Sequence, residues 1–362
     1  MEKTMNNVMQ FTGSEYDLIK KAELKKSKTD IEFEAANNER IVKVRSMSRN
    51  NIVETKFTWY DGSHEANKTA FNFLHLKELK IGKKDVFSVY GEENQVTIDH
   101  DGMKVYFQSD SRFINNQELE FENSQMLGKQ VLNYLKDVNQ FTSKQETRPL
   151  LAGVNFNTKY IQANDSHALK RVNIEGDFND FTIHNESIDI ITSLLSDNFF
   201  IEEYNGGKYH TFKQTDGYLT IEITVESTDG NYPVTDKMIP ELYNRKAAIT
   251  LYSKQNESLV KMLSKLNKKD VGVVKFKPGE NELNVIQEMK DHKGAKIKTK
   301  SLKLNADNSG DIHDILFGIE LLQKIAKQSE EITFNTYGDL SVALIHTEDK
   351  NVTILLSPSR VL

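Results

Sequence analysis

Three stretches of this chain carry one pattern, and a pattern that recurs at about a third of the length argues for repeated domains rather than one large core. They are Asp85–Asp110 (DVFSVYGEENQVTIDHDGMKVYFQSD), Asp197–Glu226 (DNFFIEEYNGGKYHTFKQTDGYLTIEITVE) and Glu330–Pro358 (EEITFNTYGDLSVALIHTEDKNVTILLSP). Each reads as strand, turn, strand, polar turn, strand. The first turns fall at Tyr90-Gly91, Tyr204-Asn205-Gly206 and Tyr337-Gly338, where glycine suits a hairpin position that needs positive φ. Alternation such as Val96, Ile98 or Ile221, Ile223, Val225 is the mark of a half-buried sheet.

A helical pattern precedes each meander: Thr69–Leu79, Ser187–Leu195 and Ile315–Ala326. The spacings Ile188/Ile191/Leu195 and Ile319/Leu322/Ile325 fit a period of 3.6. Further upstream each third opens with a strand and a longer helix. These are Met9–Thr12 before Tyr16–Lys26, Leu119–Phe121 before Gln125–Phe141, and Ala248–Tyr252 before Glu257–Leu266. Any α+β protein shows some strand-turn-strand similarity, but the matched helix before each meander separates this chain from that background. The expected fold class is therefore α+β, with three similar domains at 1–117, 118–243 and 244–362.

Composition narrows the function classes. With 38% hydrophobic and 28% charged residues the chain reads as globular, and it has no apolar run of the ~18 residues that a membrane span needs. The first residues, MEKTMNNVMQFTG, lack an apolar signal core, so a cytoplasmic location is expected. Zero cysteines remove disulfides, thiolate zinc sites and cysteine nucleophiles together. There is no G-x-S-x-G elbow, no H-E-x-x-H and no glycine-rich phosphate loop. Asp165-Ser166-His167 contains residue types that hydrolases use, but neighbours on one tight turn do not converge on a reacting atom. The expectation is no catalytic residue, no metal and no cofactor.

The net charge of −6 argues against a surface that coats nucleic acid everywhere, yet the lysines are segregated. A helix capped near Ser124 would bury Leu127, Val131, Leu135 and Val138 and expose Lys129, Asn133, Lys136 and Gln140. In the last third Lys254, Ser258, Lys261, Lys265 and Lys268 oppose Leu259, Val260, Leu263 and Leu266. In the first third Lys21, Lys25 and Lys28 share one side, with Lys20 and Lys26 adjacent. Such stripes are usually solvated helix faces, but in a chain with more acids than bases a solvated face should mix signs. Lysine and amide groups without interleaved aromatics suit phosphate contact without base reading, which points to sequence-independent binding of double-stranded DNA. The second helices follow the rule unevenly: Lys324 and Lys327 fit it, whereas Ser187–Leu195 carries Asp189 and no lysine.

One further stretch, Arg148–Leu169 (RPLLAGVNFNTKYIQANDSHAL), reads as a turn, a strand over Leu150–Phe156, a second strand and a polar Asn164–His167 corner between apolar residues. Together with NYPVTDKMIP (Asn231–Pro240) and the terminal LLSPSRVL (Leu355–Leu362), it resembles three signatures of the bacterial DNA polymerase III β sliding clamp family. The likeness spans the last two thirds well and residues 1–80 only in outline. It implies three similar sliding-clamp domains per chain, helices lining a pore with sheets outside, and a head-to-tail homodimeric ring. Such a ring encircles duplex DNA without reading sequence, has no chemistry of its own, and tethers DNA polymerase and the clamp loader through short peptides.

Carried over position by position, the peptide pocket between the second and third domains would comprise Leu151, Asn164, Ser166, His167, Ala168, Leu169, Pro233, Lys237, Met238, Leu355, Ser357, Pro358, Ser359 and Arg360. Its apolar floor would be Leu151, Leu169, Met238 and Leu355. Gln145 and Arg148 fall where the family has a DNA-contacting loop. They join Lys21, Lys25, Lys129, Lys136, Lys261, Lys265, Lys268 and Lys324 as the expected DNA-facing set. Dimer contacts are implied near Val105–Gln108 and at an edge of the third domain. Ala168 and Lys237 stand where the family has arginine, and Ser357 and Ser359 where it is commonly apolar, so a more polar, shallower pocket is expected. The divergence and the Asn/Lys-rich usage resemble a phage-encoded clamp. A non-enzymatic β-rich scaffold of the phage-assembly type is the alternative reading.

Overall fold

A computed structural model describes residues 8–359 apart from 49–50, 62–63, 93–94, 110–118, 146, 267–271, 291–295, 312 and 339–340. The first third runs β1 (Met9–Thr12), α1 (Gly13–Lys21), β2 (Lys28–Asn37), β3 (Glu39–Met47), β4 (Ile52–Trp59), β5 (His64–Asn72), α2 (Phe73–Lys77), β6 (Val86–Glu92), β7 (Gln95–His100) and β8 (Met103–Gln108). The second runs β9 (Phe121–Leu127), α3 (Gln130–Asn139), β10 (Gly153–Phe156), β11 (Tyr160–Asn164), β12 (Ala168–Asn173), β13 (Phe181–His184), α4 (Asn185–Leu194), β14 (Phe199–Tyr204), β15 (Tyr209–Thr215) and β16 (Leu219–Glu226). The last runs β17 (Ala247–Leu251), α5 (Ser253–Ser264), β18 (Val273–Pro278), β19 (Glu282–Lys290), β20 (Lys296–Asn305), β21 (Asp307–Gly310), β22 (Ile315–Gly318), α6 (Ile319–Lys327), β23 (Ile332–Thr336), β24 (Ala343–Thr347) and β25 (Val352–Leu356). One order, strand, helix, strands, helix, three-stranded meander, thus occurs three times.

The chain forms two compact bodies. The first comprises Met1–Asn139, Gly153–Thr158 and Gly176–Gly230, the second Gln140–Ala152, Lys159–Glu175 and Asn231–Leu362. In the first, a sheet of order β1-β6-β7-β8 accompanies an eight-stranded sheet of order β5-β2-β3-β4-β16-β15-β14-β9, and α3 packs on α4. In the second, the strands β11-β12-β25-β24-β23-β17-β21 form one run, β20-β19-β18-β22 form a separate sheet, and α5 packs on α6.

Helix boundaries differ from the sequence expectation wherever a neighbouring strand captures the backbone. Ser124 does not cap a helix; it lies in β9, paired with Glu202 of β14, and Leu127 ends that strand before Gly128 releases the chain into α3. Thr69 and Phe71 pair with Phe33 and Ile31, so the expected Thr69–Leu79 helix shrinks to Phe73–Lys77 behind an Asn72 cap. Ile315–Gly318 joins β18 as β22 before α6 begins. Helix α1 starts at Gly13, fixed by a Thr12/Glu15 capping box, and ends at Lys21, which leaves Lys25 in the following turn and Lys28 in β2. Tyr90-Gly91 is not a turn but part of β6; a Cβ on Gly91 would lie 2.8 Å from Thr69 Cβ, so glycine there permits close approach of β5. The Tyr204-Asn205-Gly206 turn stands as expected, with Asn205 and Gly206 at φ 53° and 68°.

Each body is held by an aromatic core. In the first, Phe11, Phe33, Phe57, Phe71 and Phe87 are fully buried, and Arg40 stacks its guanidinium 4.7 Å from the Phe11 ring centroid. That guanidinium donates to Gln10 O, to Glu15 Oε1 at 2.8 Å and to both Asp61 oxygens. Removing one member of a buried ion group strands the others, so Arg40→Ala is expected to cost about 3 kcal/mol in urea denaturation. A loss below ~1 kcal/mol would show that solvent already satisfies Glu15 and Asp61.

Candidate docking site

Sheet register builds the site within the second body. Leu169 of β12 lies opposite Leu355 of β25, and Leu355 lies opposite Leu344 of β24, so three leucines stand in a row across three strands on one face. They are 1%, 2% and 4% exposed, and Ile239, Tyr337 and Val342 pack against them half-buried. The segment following β16 contributes more apolar surface: Val234, Met238, Leu242 and Tyr243 are all exposed. Ile239, rather than Met238, touches the leucine row, and Met238 remains 43% exposed.

Arg171 ties that segment down. From β12 it donates to Gln162 Oε1 at 3.2 and 3.3 Å and to Thr235 Oγ1, pairs with Asp236 at 2.7 Å, and stacks 3.7 Å from the Tyr160 ring centroid. A buried arginine inside a strand needs such partners, and two of them here, Thr235 and Asp236, lie just before Met238 and Ile239.

The Asn164–His167 corner is made by its own side chains. Asn164 Oδ1 accepts from Ser166 N at 2.7 Å, while Asp165 Oδ1 accepts from His167 N at 2.9 Å and Ala168 N at 2.8 Å. Ser166 takes φ 79°, which these bonds support. The Asp165 carboxylate oxygen is thereby committed to backbone amides, and Ser166 Oγ accepts from Arg148 at 2.7 Å instead of facing the His167 ring. The arrangement is turn architecture, not a hydrolytic triad.

Beyond the corner opens a groove of about 970 Å³, lined by Arg148, Ser166, His167 and Ser357–Ser359 among the expected site residues, together with Lys144, Gln145 and Lys324. The β25 strand passes from the leucine row into it, since Ser357 N donates to His167 O at 2.8 Å and Ser359 N to Leu316 O at 2.7 Å. The buried leucine row is thus joined to the groove through the backbone of β25 and the corner. Leu151 is half-buried in the turn before β10, Ala168 and Asn164 are buried, Pro233 and Lys237 are exposed, and Arg360 lies outside the described residues. Leu344, Ile239, Tyr337 and Val342 are not among the site residues expected from sequence; only strand pairing places Leu344 beside the motif residues.

Of the residues expected to face DNA, Lys21, Lys129, Lys136, Lys261 and Lys265 are exposed at or beside the first helix of each repeat, and Lys25 is exposed in the turn after α1. Lys268 lies outside the described residues. Gln145, Arg148 and Lys324 line the groove.

No protein-family sequence model matches this chain, and no curated protein sequence matches it. Solved structures do. A DnaN sliding clamp (DNA polymerase III subunit β) from Bartonella birtlesii superposes with a TM-score of 0.81 at 18% identity, covering 98% of this chain and 100% of that one. The DNA polymerase sliding clamp of Bacillus subtilis gives 0.79 at 17% identity over 98% and 99% of the two chains. The fold is that of a sliding clamp. The DNA polymerase III β subunit of Thermotoga maritima, at 0.78 and 15% identity over 98% of this chain and all of the other, carries the same clamp fold. The likeness thus includes residues 1–80, where sequence motifs resemble the clamps only in outline. The leucine row belongs to the second body of a clamp-fold chain.

Proposed function

We propose that this protein is a DNA sliding clamp: a non-enzymatic, head-to-tail homodimeric ring that encircles double-stranded DNA and tethers DNA polymerase and its loader by short peptides. Its domains would be 1–117, 118–243 and 244–362, and it would work in the cytoplasm without metal or cofactor. Among the described residues no helix is long and apolar enough to cross a membrane.

One observation carries the ring. In the first repeat the third strand after the first helix, β4, pairs antiparallel with β16, the last strand of the second repeat. In the second repeat the equivalent strand, β12, pairs antiparallel with β25, the last strand of the third. The same rule applied once more would join β20 to β8, yet each stands at the edge of its own sheet. A second copy supplying the missing partner, twice, closes a ring of two chains. Exposed lysines beside the first helices suit loose, phosphate-only contact, which permits sliding where tight contact would stop it. Half-buried Ile239, Tyr337 and Val342 over the leucine row, with exposed Met238 and the groove, suit an extended peptide anchored by apolar side chains, which raises the effective concentration of a tethered enzyme.

The test is topological. Once placed on nicked circular DNA, the protein should remain for at least about tenfold longer than on the same DNA cut once, where it can slide off an end. Equal loss from both would refute encirclement.

A further inference from the structure

The groove beyond the Asn164–His167 corner holds three cations, Lys144, Arg148 and Lys324, and none of them is ion-paired to a carboxylate among the described residues. Among the described residues Lys324 Nζ donates to Gln140 O at 2.9 Å, and the Arg148 guanidinium to Ser166 Oγ at 2.7 Å. Two carboxylates share the groove, Asp165 and Glu320, and both act on Lys324 through space, but among the described residues neither forms an ion pair with the three cations. Asp165 Oδ1 is held by the His167 and Ala168 amides, and Glu320 is exposed in the first turn of α6. Burial first, and then the charge of Lys144, hold the Lys324 ammonium below the ordinary lysine range even though Asp165 and Glu320 pull it upward.

We propose that this cluster receives a carboxylate side chain of the docking peptide, so that the surface selects acidic-apolar peptides over apolar ones. The inference rests on the peptide-docking reading and names its ligand more narrowly. Position supports it. His167 and Ser357 line the groove, and Leu169 and Leu355 of the leucine row lie two residues further along the same paired strands. Two residues of extended chain span about 7 Å, so a peptide with its apolar anchor on the half-buried residues over the leucines would present an acidic residue two positions away to the cations. A duplex backbone is the other source of negative charge, but the concave site adjoins a buried apolar row that a phosphate chain would not use.

The experiment uses the full chain and two fluorescein-labelled, C-terminally amidated hexapeptides, one with Glu-Ser-Leu-Leu and its twin with Gln-Ser-Leu-Leu, each also made in the reverse order. The glutamate peptide should bind about five- to tenfold tighter than its twin at low salt, with the ratio shrinking at high salt. Lys324→Gln should bring the ratio towards one, and Lys144→Gln, at an exposed position, should reduce it independently should Lys324→Gln prove poorly folded. Equal binding of both twins, with Ile239→Asp still weakening each, would overturn the acidic preference and leave the docking surface standing. Binding of neither twin would remove the docking reading and this inference together. Equal binding of the twins with a 20-base-pair duplex whose affinity falls in Lys324→Gln would assign the groove to phosphate and overturn the proposal.

Discussion

Ile239→Asp should weaken binding of a leucine-pair peptide by at least about 30-fold while leaving the chain folded. Ile239 is half-buried on a segment without regular strand pairing, and it packs on Leu169, Leu344 and Leu355. A carboxylate there can turn to solvent in the free protein, so the fold should lose only ~1 kcal/mol. When a peptide docks over this position, the same carboxylate is trapped against apolar carbon without a partner. That desolvation costs roughly 2–4 kcal/mol, which is about 30- to 1000-fold in affinity. Leu355→Asp makes the contrasting case: at 2% exposure between two paired strands, the charge is buried in the free protein too, and the variant should fail to fold. Fluorescence anisotropy with the labelled peptides reads the first, and urea denaturation separates it from the second. An Ile239→Asp variant within threefold of wild type would place the apolar anchor elsewhere.

What was legible in the sequence was whatever depends on local pattern. The three meanders survive as β6–β8, β14–β16 and β23–β25 because alternation and turn residues act over a few positions. Helix ends were less legible, because a strand partner far along the chain decides them: Glu202 captures Ser124, and Phe33 captures Thr69. The site divides in the same way. Leu169 and Leu355 stand in motifs, but Leu344 joins them only through the β24–β25 register, and Ile239 only through the path of its segment. Arg171 was hidden for another reason. A Lys-Arg pair in a strand reads as surface, whereas both residues are buried here, Lys170 bonded to Gln328 at 2.6 Å and Arg171 to Gln162, Thr235 and Asp236. Asp165-Ser166-His167 shows the reverse case, in which reactive residue types serve a turn.

Proline scanning along β8 should split into two classes with a period of two. An edge strand offers alternate N–H groups outward, and proline removes the donor at its own position. Where the N–H points to β7, as one residue set among Val105, Tyr106 and Phe107 must, substitution breaks an existing ladder bond and should lower stability by ~3 kcal/mol. Where it points outward, the sheet of one copy loses nothing, but a partner's β20 loses a bond and meets a ring in its path. Two such junctions close the proposed ring, so an outward proline weakens both at once, and dimer dissociation should rise by at least about 100-fold. β8 suits the role, since Met103 and Tyr106 are 58% and 57% exposed and the strand carries no proline or bulge of its own. Light scattering across a concentration series gives the mass, expected at twice 41.5 kDa for the wild type and near the single-chain value for outward variants at micromolar concentration. The same variants should leave circular DNA as fast as linear DNA, because an open ring has no topological hold. A wild-type dimer that persists through every position of the scan would mean that copies join through another surface, and the β20–β8 junction would fall with it.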